Sequence, residues 1–270
     1  MHKETRNLLI FFLVTFLWTW AFYTPIALGG YNPYEMPWTI LLIFGGMGPS
    51  VVGVAMTLLM KDKRSRRDYW RRCFSFNRIS LKWWLVTFLT FPLIYALGIA
   101  IDTALGGSLP AMNLLRDLIA HPAVIPLAMF IRFMSGPWSE EFGWRGYALD
   151  RIILSLGAIP GSITLGIVWG VWHLPLFFMP ATWHGQVGFA LTGFWMFILF
   201  SVALSLFMTW VYLNTNRSIL SAMMIHFASN FTAQLFEPIS TGLEVLRLIL
   251  LLVVIVFPIL SLYRREHEPI

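Results

Sequence analysis

Two adjacent carboxylates, Glu140 and Glu141, follow an apolar run from Ala123 to Trp138, and Arg145 stands four residues beyond Glu141. Two later apolar runs carry Trp169 with His173, and His226 with Asn230, each pair again four residues apart. Residues four apart share one face of a helix. Glu141 is therefore expected to pair with Arg145, and Trp169 is expected to support His173. Glu140 lies about 100° around the helix from Glu141 and is left to face a cavity between helices. A carboxylate so placed can take a proton from water. His173 and His226 could share and polarise that water, or join Glu140 in a three-ligand zinc site with an open water position. Asn230 can donate a hydrogen bond to a developing oxyanion. The candidate catalytic set is thus Glu140, Glu141, His173, His226 and Asn230, with Arg145 and Trp169 in support.

The elements that must position these residues are membrane spans. The 270 residues are 58% hydrophobic and 12% charged, whereas soluble chains are about 25% charged. Apolar runs near the length of a spanning helix, about 20 residues, recur throughout. They predict an all-α polytopic membrane protein of about eight transmembrane helices around an intramembrane cavity, built as a single domain over residues 1–270. The expected spans are 8–28, 38–60, 83–105, 123–148, 161–178, 187–213, 218–236 and 243–262. The Gly45–Pro49 stretch of the second predicts a kink or close packing. Counting 1.5 Å per helical residue puts Glu140, His173 and His226 at one level, about 12–18 Å from the inner surface. An ionisable group at such depth is costly, about 2.5–3.5 kcal/mol for Asp at a helix centre even on the lower scales. Three of them at one level point to one shared site, and His184 and His121, in outer loops, are expected to be idle.

If the N-terminus is inside and the spans alternate, sixteen of the nineteen basic residues fall on the inner side. Lys/Arg bias sets topology, so both termini are expected to be cytoplasmic, in the plasma membrane of a prokaryote. The exceptions are Arg116, Arg132 and Arg247. The basic stretch 61–82, with Trp70, Phe74 and Phe76, is either an amphipathic segment on the inner leaflet or a solvated loop. The net charge of +6 sits beside spans, where it meets lipid rather than nucleic acid. A lone cysteine, Cys73, excludes a CxxC metal site and an intrachain disulfide. There is no HExxH helix, no GxSxG elbow and no P-loop, so no nucleotide is expected.

The order EExxxR (Glu140, Glu141, Arg145), aromatic-x-x-x-His (Trp169, His173) and His-x-x-x-Asn (His226, Asn230) resembles the CAAX proteases and bacteriocin-processing enzymes, the CPBP or Abi family, which includes the type II CAAX prenyl endopeptidases. The motifs span residues 139–230, about a third of the chain, and Trp169 stands where the family usually has Phe. The resemblance implies an eight-span fold and an endopeptidase acting near the C-terminus of prenylated or other membrane-associated peptides. It further implies that Glu140 activates water, His173 helps hold it, and His226 and Asn230 stabilise the oxyanion. A divalent metal and a metal-free glutamate mechanism both stay open. The cavity is expected to open to the cytoplasm and to lipid. The alternatives are a non-catalytic scaffold or bacteriocin-immunity protein, and a proton-coupled transporter; a transporter is expected to carry two related halves, and no such repeat is evident.

Overall fold

The computed structural model describes residues 3–60, 62–237 and 239–267, without the side chains of Lys3 and Glu266. Lys61 of the basic stretch lies outside them. Among the described residues there is no strand. In lipid each backbone amide needs a partner within its own segment, which the helix supplies. Six helices are long and apolar enough to span a membrane, and two further spans are bent, which gives up to eight.

The first half of the chain forms α1 (Lys3–Gly29), α2 (Trp38–Gly46), α3 (Gly48–Leu58), α4 (Lys63–Phe74), α5 (Leu81–Ala104) and α6 (Asn113–Ala120). The break expected at Gly45–Pro49 divides the second span into α2 and α3, bent by 44°. The basic stretch is a helix, α4, capped by Asp62, whose carboxylate accepts from the Arg64 and Ser65 amides. It buries Tyr69, Arg72 and Cys73. Arg72 pairs with Asp150 at 2.8 Å and donates to the Tyr212 hydroxyl, so this stretch is latched to the bundle rather than solvated.

The fourth span is a rod of three helical pieces, α7 (Ile125–Phe133), α8 (Ser139–Gly143) and α9 (Leu149–Leu156), joined by single π turns at Met134–Trp138 and Trp144–Ala148. It runs past the Ala148 expected as its end. Pro137 lies in the first π turn; it has no N–H to donate and its ring crowds the preceding turn, which favours a wider loop there. All five residues of α8 are buried, Glu140 at 5% and Glu141 at 0% exposure. The remaining helices are α10 (Ala158–Trp172), α11 (Trp183–Val187), α12 (Met196–Asn214), α13 (Ile219–Phe236) and α14 (Thr241–His267). One large cluster of buried side chains, Trp144, Trp172, Phe207 and Tyr212 among them, joins most of these elements.

α3 and the rod meet through glycines. A Cβ on Gly143 would stand 2.1 Å from the Pro49 carbonyl oxygen, and one on Gly53 would stand 2.6 Å from the Gly143 Cα. Small residues let helices approach closely in membranes. Gly143→Ala is therefore expected to destabilise the protein by about 1–3 kcal/mol, the usual cost of overpacking. Its thermal midpoint in detergent should fall by several degrees. Gly242→Ala, with nothing nearer than 3.8 Å, should leave the midpoint in place. Equal midpoints for the two variants would refute the close approach.

Candidate active site

The site is assembled on three elements: α8, the end of α10, and α13. Glu141 is fully buried and accepts from Arg145 Nη1 at 2.9 and 3.0 Å. Its Oε1 also accepts from His226 Nδ1 at 2.8 Å. A buried carboxylate is tolerated only with such neutralising partners. The expected Glu141–Arg145 pair is present; the bond to His226, from a helix 85 residues away, carries no mark in the sequence. Glu141 is absent from the cavity wall. Of the candidate catalytic set it alone stands behind the site, holding the His226 ring.

Glu140 does line the cavity, and the Trp169 indole N–H donates to its Oε2 at 2.6 Å. Trp169, expected to support His173, also contacts Glu140, Arg145 and His226. The Arg145 guanidinium lies 4.5 Å from the centre of its ring, and the rings of His226 and His173 stand 5.2 and 6.0 Å from it. His173, the residue that caps the C-terminal end of α10, donates from Nδ1 to the Trp169 carbonyl at 2.8 Å. That bond leaves its Nε2 as the free ring nitrogen, as the Glu141 bond leaves Nε2 of His226. On α13, Asn230 follows His226 by one turn and lines the same cavity.

Two further residues, one with no expected role and one expected to be idle, belong here. Gly136, in the first π turn, faces both α13 side chains. A Cβ there would lie 3.3 Å from His226 Nε2 and 3.3 Å from Asn230 Nδ2. The missing side chain keeps open the space beside both groups. His184, expected to be idle in an outer loop, stacks on His173, with ring centres 5.6 Å apart and planes 18° apart, and lines the cavity. The fold of 179–187 carries it back: Thr182 caps α11, and Phe177 and Phe197 pack on its ring. A long-range return of this kind has no local signature.

The cavity is about 1140 Å³. Its wall includes Tyr34, Asn113, Thr192 and Glu237, which belong to the end of the bundle remote from the chain termini. Exposed Ile43 and Ile131 are also part of it. The opposite end carries α4, the Arg151–Glu4 pair and Arg265, which donates to the Leu213 carbonyl. The expectation that the mouth shares a side with the basic residues is thus corrected: the two lie at opposite ends. Glu140, His173 and His226, the residues of the expected zinc set, all line this cavity. Both imidazoles keep a free Nε2, yet among the described residues no three His, Cys, Asp or Glu side chains converge closely enough to hold a metal ion.

Fold and site together define a polytopic all-α membrane protein with a carboxylate, two imidazoles and an amide gathered on one buried cavity. Residues 122–232 match the family described as type II CAAX prenyl endopeptidase Rce1-like. The chain is also 26% identical over 228 residues to CAAX prenyl protease 2 of Methanococcus maripaludis, which covers 84% of this chain and 83% of that protein. The resemblance drawn from the motifs to the type II CAAX prenyl endopeptidases is upheld, and the matched segment holds all five candidate catalytic residues.

The buried triad makes a stability prediction. Arg145→Met strands Glu141 and should cost about 3–5 kcal/mol, as loss of one partner of a buried pair does. Adding Glu141→Gln to that variant should recover a substantial part of the loss, because the stranded charge goes with it. Urea or thermal unfolding of the four proteins in the cycle measures this. Additive losses would show that the two groups do not interact.

Proposed function

We propose that the protein is an intramembrane endopeptidase that hydrolyses a peptide bond near the C-terminus of a prenylated or other membrane-associated substrate. The observation that carries the reading is the convergence of Glu140, His173, His226 and Asn230 on one cavity wall. The family match and the name of the archaeal relative support it.

In this reading Glu140 takes a proton from a water molecule that His173 Nε2 also holds. The oxygen of that water forms a bond to the scissile carbonyl carbon, and the carbonyl π electrons move onto its oxygen. His226, carrying a second proton on Nε2, and the Asn230 amide donate to that oxyanion in the space Gly136 leaves open. Glu141 stabilises the imidazolium, as a buried carboxylate does for a histidine it orients. The oxyanion then collapses, the C–N bond breaks, and Glu140 returns its proton to the departing amine. The Trp169 N–H fixes which carboxylate oxygen of Glu140 is free to act. No step passes through a metal, and turnover is read as independent of one.

Glu140→Gln should lower cleavage of a prenylated peptide at least a thousandfold with little change in unfolding temperature, and excess chelator should leave the parent enzyme's rate within twofold. Undiminished turnover by the variant would sink the glutamate role. Loss of activity on chelation, restored by zinc, would sink the metal-free one.

The charge distribution argues for both termini on the cytoplasmic side of a prokaryotic plasma membrane. The cavity then opens to the other face. In a Cys73→Ser background, a cysteine in place of exposed Asn113 should react with an impermeant maleimide added to intact cells. Reaction only after lysis would reverse the orientation and turn the mouth to the cytoplasm, where prenylated chains are made.

A further inference from the structure

One buried group on the cavity wall has no part in the chemistry above. Tyr23, on α1, is 5% exposed and lines the cavity together with Glu140. It lies outside the segment matched to the family. Among the described residues its hydroxyl has no hydrogen-bond partner. A buried phenol normally finds one, because an unmet O–H costs free energy. The glycines of α2 make the room around it. A Cβ on Gly45 would stand 2.4 Å from the Tyr23 ring, and one on Gly46 would meet the Tyr23 hydroxyl at 3.1 Å. Gly46 also lines the cavity. The ring is thus clamped at the break of the second span while its hydroxyl borders open space.

Three hydrogen bonds set α1 against the site. The Thr19 hydroxyl accepts from the Trp172 indole at 2.9 Å and donates to the Gly45 carbonyl at 2.8 Å, and the Trp20 indole donates to the Trp172 carbonyl at 3.1 Å. Trp172 precedes His173, so these bonds fix α1 at the level of that imidazole. Tyr23 stands one turn beyond Thr19, about 6 Å further along α1 toward the mouth. α8 packs on α13 and on α3, and α3 packs on α1 and α2. The cavity wall therefore runs from His226 and Asn230 on α13, past Glu140 and His173, to Tyr23 on the far side. Successive carbonyls of an extended chain point to opposite sides. A scissile carbonyl turned to His226 and Asn230 sends its neighbour's carbonyl toward the α1–α2 wall. A neutral O–H is the donor such an oxygen needs.

We propose that Tyr23 is a further catalytic residue, whose hydroxyl donates a hydrogen bond to the backbone carbonyl next to the one that is cleaved and so holds the peptide across the cavity. This rests on the endopeptidase reading for its substrate, but its test is made on binding and needs no turnover. Glu140→Gln protein in phosphatidylcholine nanodiscs is titrated with an N-acetylated apolar hexapeptide amide. Tyr23→Phe in that background should weaken binding at least fivefold. Its thermal midpoint should be unchanged or higher, because in the free protein the hydroxyl has no partner to lose. Gly46→Ala, whose methyl group crowds the hydroxyl, should also weaken binding, and should weaken it no further once Tyr23→Phe is present. Equal affinity of the hexapeptide with and without the hydroxyl overturns the proposal and leaves the hydroxyl to cavity water. Weakened binding with a midpoint lowered by several degrees overturns it too and makes the hydroxyl structural. Absence of binding with Tyr23 intact removes both this contact and the protease reading. Weakened binding at an unchanged midpoint, in a protein whose parent cleaves nothing, leaves the contact standing and removes the protease reading alone.

Discussion

A carboxylate with no access to water dictates the layout of this protein. Glu141 is fully buried among apolar side chains, where an unpaired charge would cost several kcal/mol. It is neutralised from within its own rod by Arg145 and accepts a hydrogen bond from His226 across the bundle. The first contact is local and comes with helical spacing. The second ties the rod to α13 and sets the angle of an imidazole whose other nitrogen faces the cavity. Arg145 in turn lies over Trp169, and Trp169 donates to Glu140. One buried charge thus propagates, through direct contacts, to the groups that line the cavity.

The rod carrying the two glutamates is not a regular helix, and its irregularity has a use. A π turn on each side of α8 adds a residue to the local register and turns side chains that a straight helix would splay. Neighbouring carboxylates can then serve different surroundings, Glu141 inward to the ion pair and Glu140 to the cavity. The same turns place Gly136 against α13 and Gly143 against α3. π turns are frequent at functional sites for this reason. They cost hydrogen-bond geometry, which close packing against α3 and α13 offsets.

The two ends of the bundle are chemically distinct. One end is basic and interlocked: Arg72, Asp150, Tyr212 and Arg217 form a connected network between α4, α9 and the α12–α13 turn. Within it Asp150 holds the Arg217 guanidinium above its ordinary value, the hydrogen bond to the carboxylate being the largest cause. The other end, among the described residues, has no ion pair at the cavity rim formed by Tyr34, Asn113, Thr192 and Glu237.

The composition and the 20-residue apolar runs were sufficient for the fold class, because a membrane leaves a chain few ways to satisfy its backbone. Helical spacing was sufficient for the Glu141–Arg145 pair, and equal depth along separate spans agrees with Glu140, His173 and His226 lining one cavity. All of these depend on distance along one helix or on a common membrane frame. The Glu141–His226 bond, the Trp169 donation to Glu140, the return of His184 onto His173, the end at which the cavity opens and the location of Arg247 in its wall are of another kind. Each depends on the rotation of one helix about its axis relative to another. That rotation is decided by close packing of glycines, by π turns and by the need to neutralise a buried charge, and only the folded bundle brings those together.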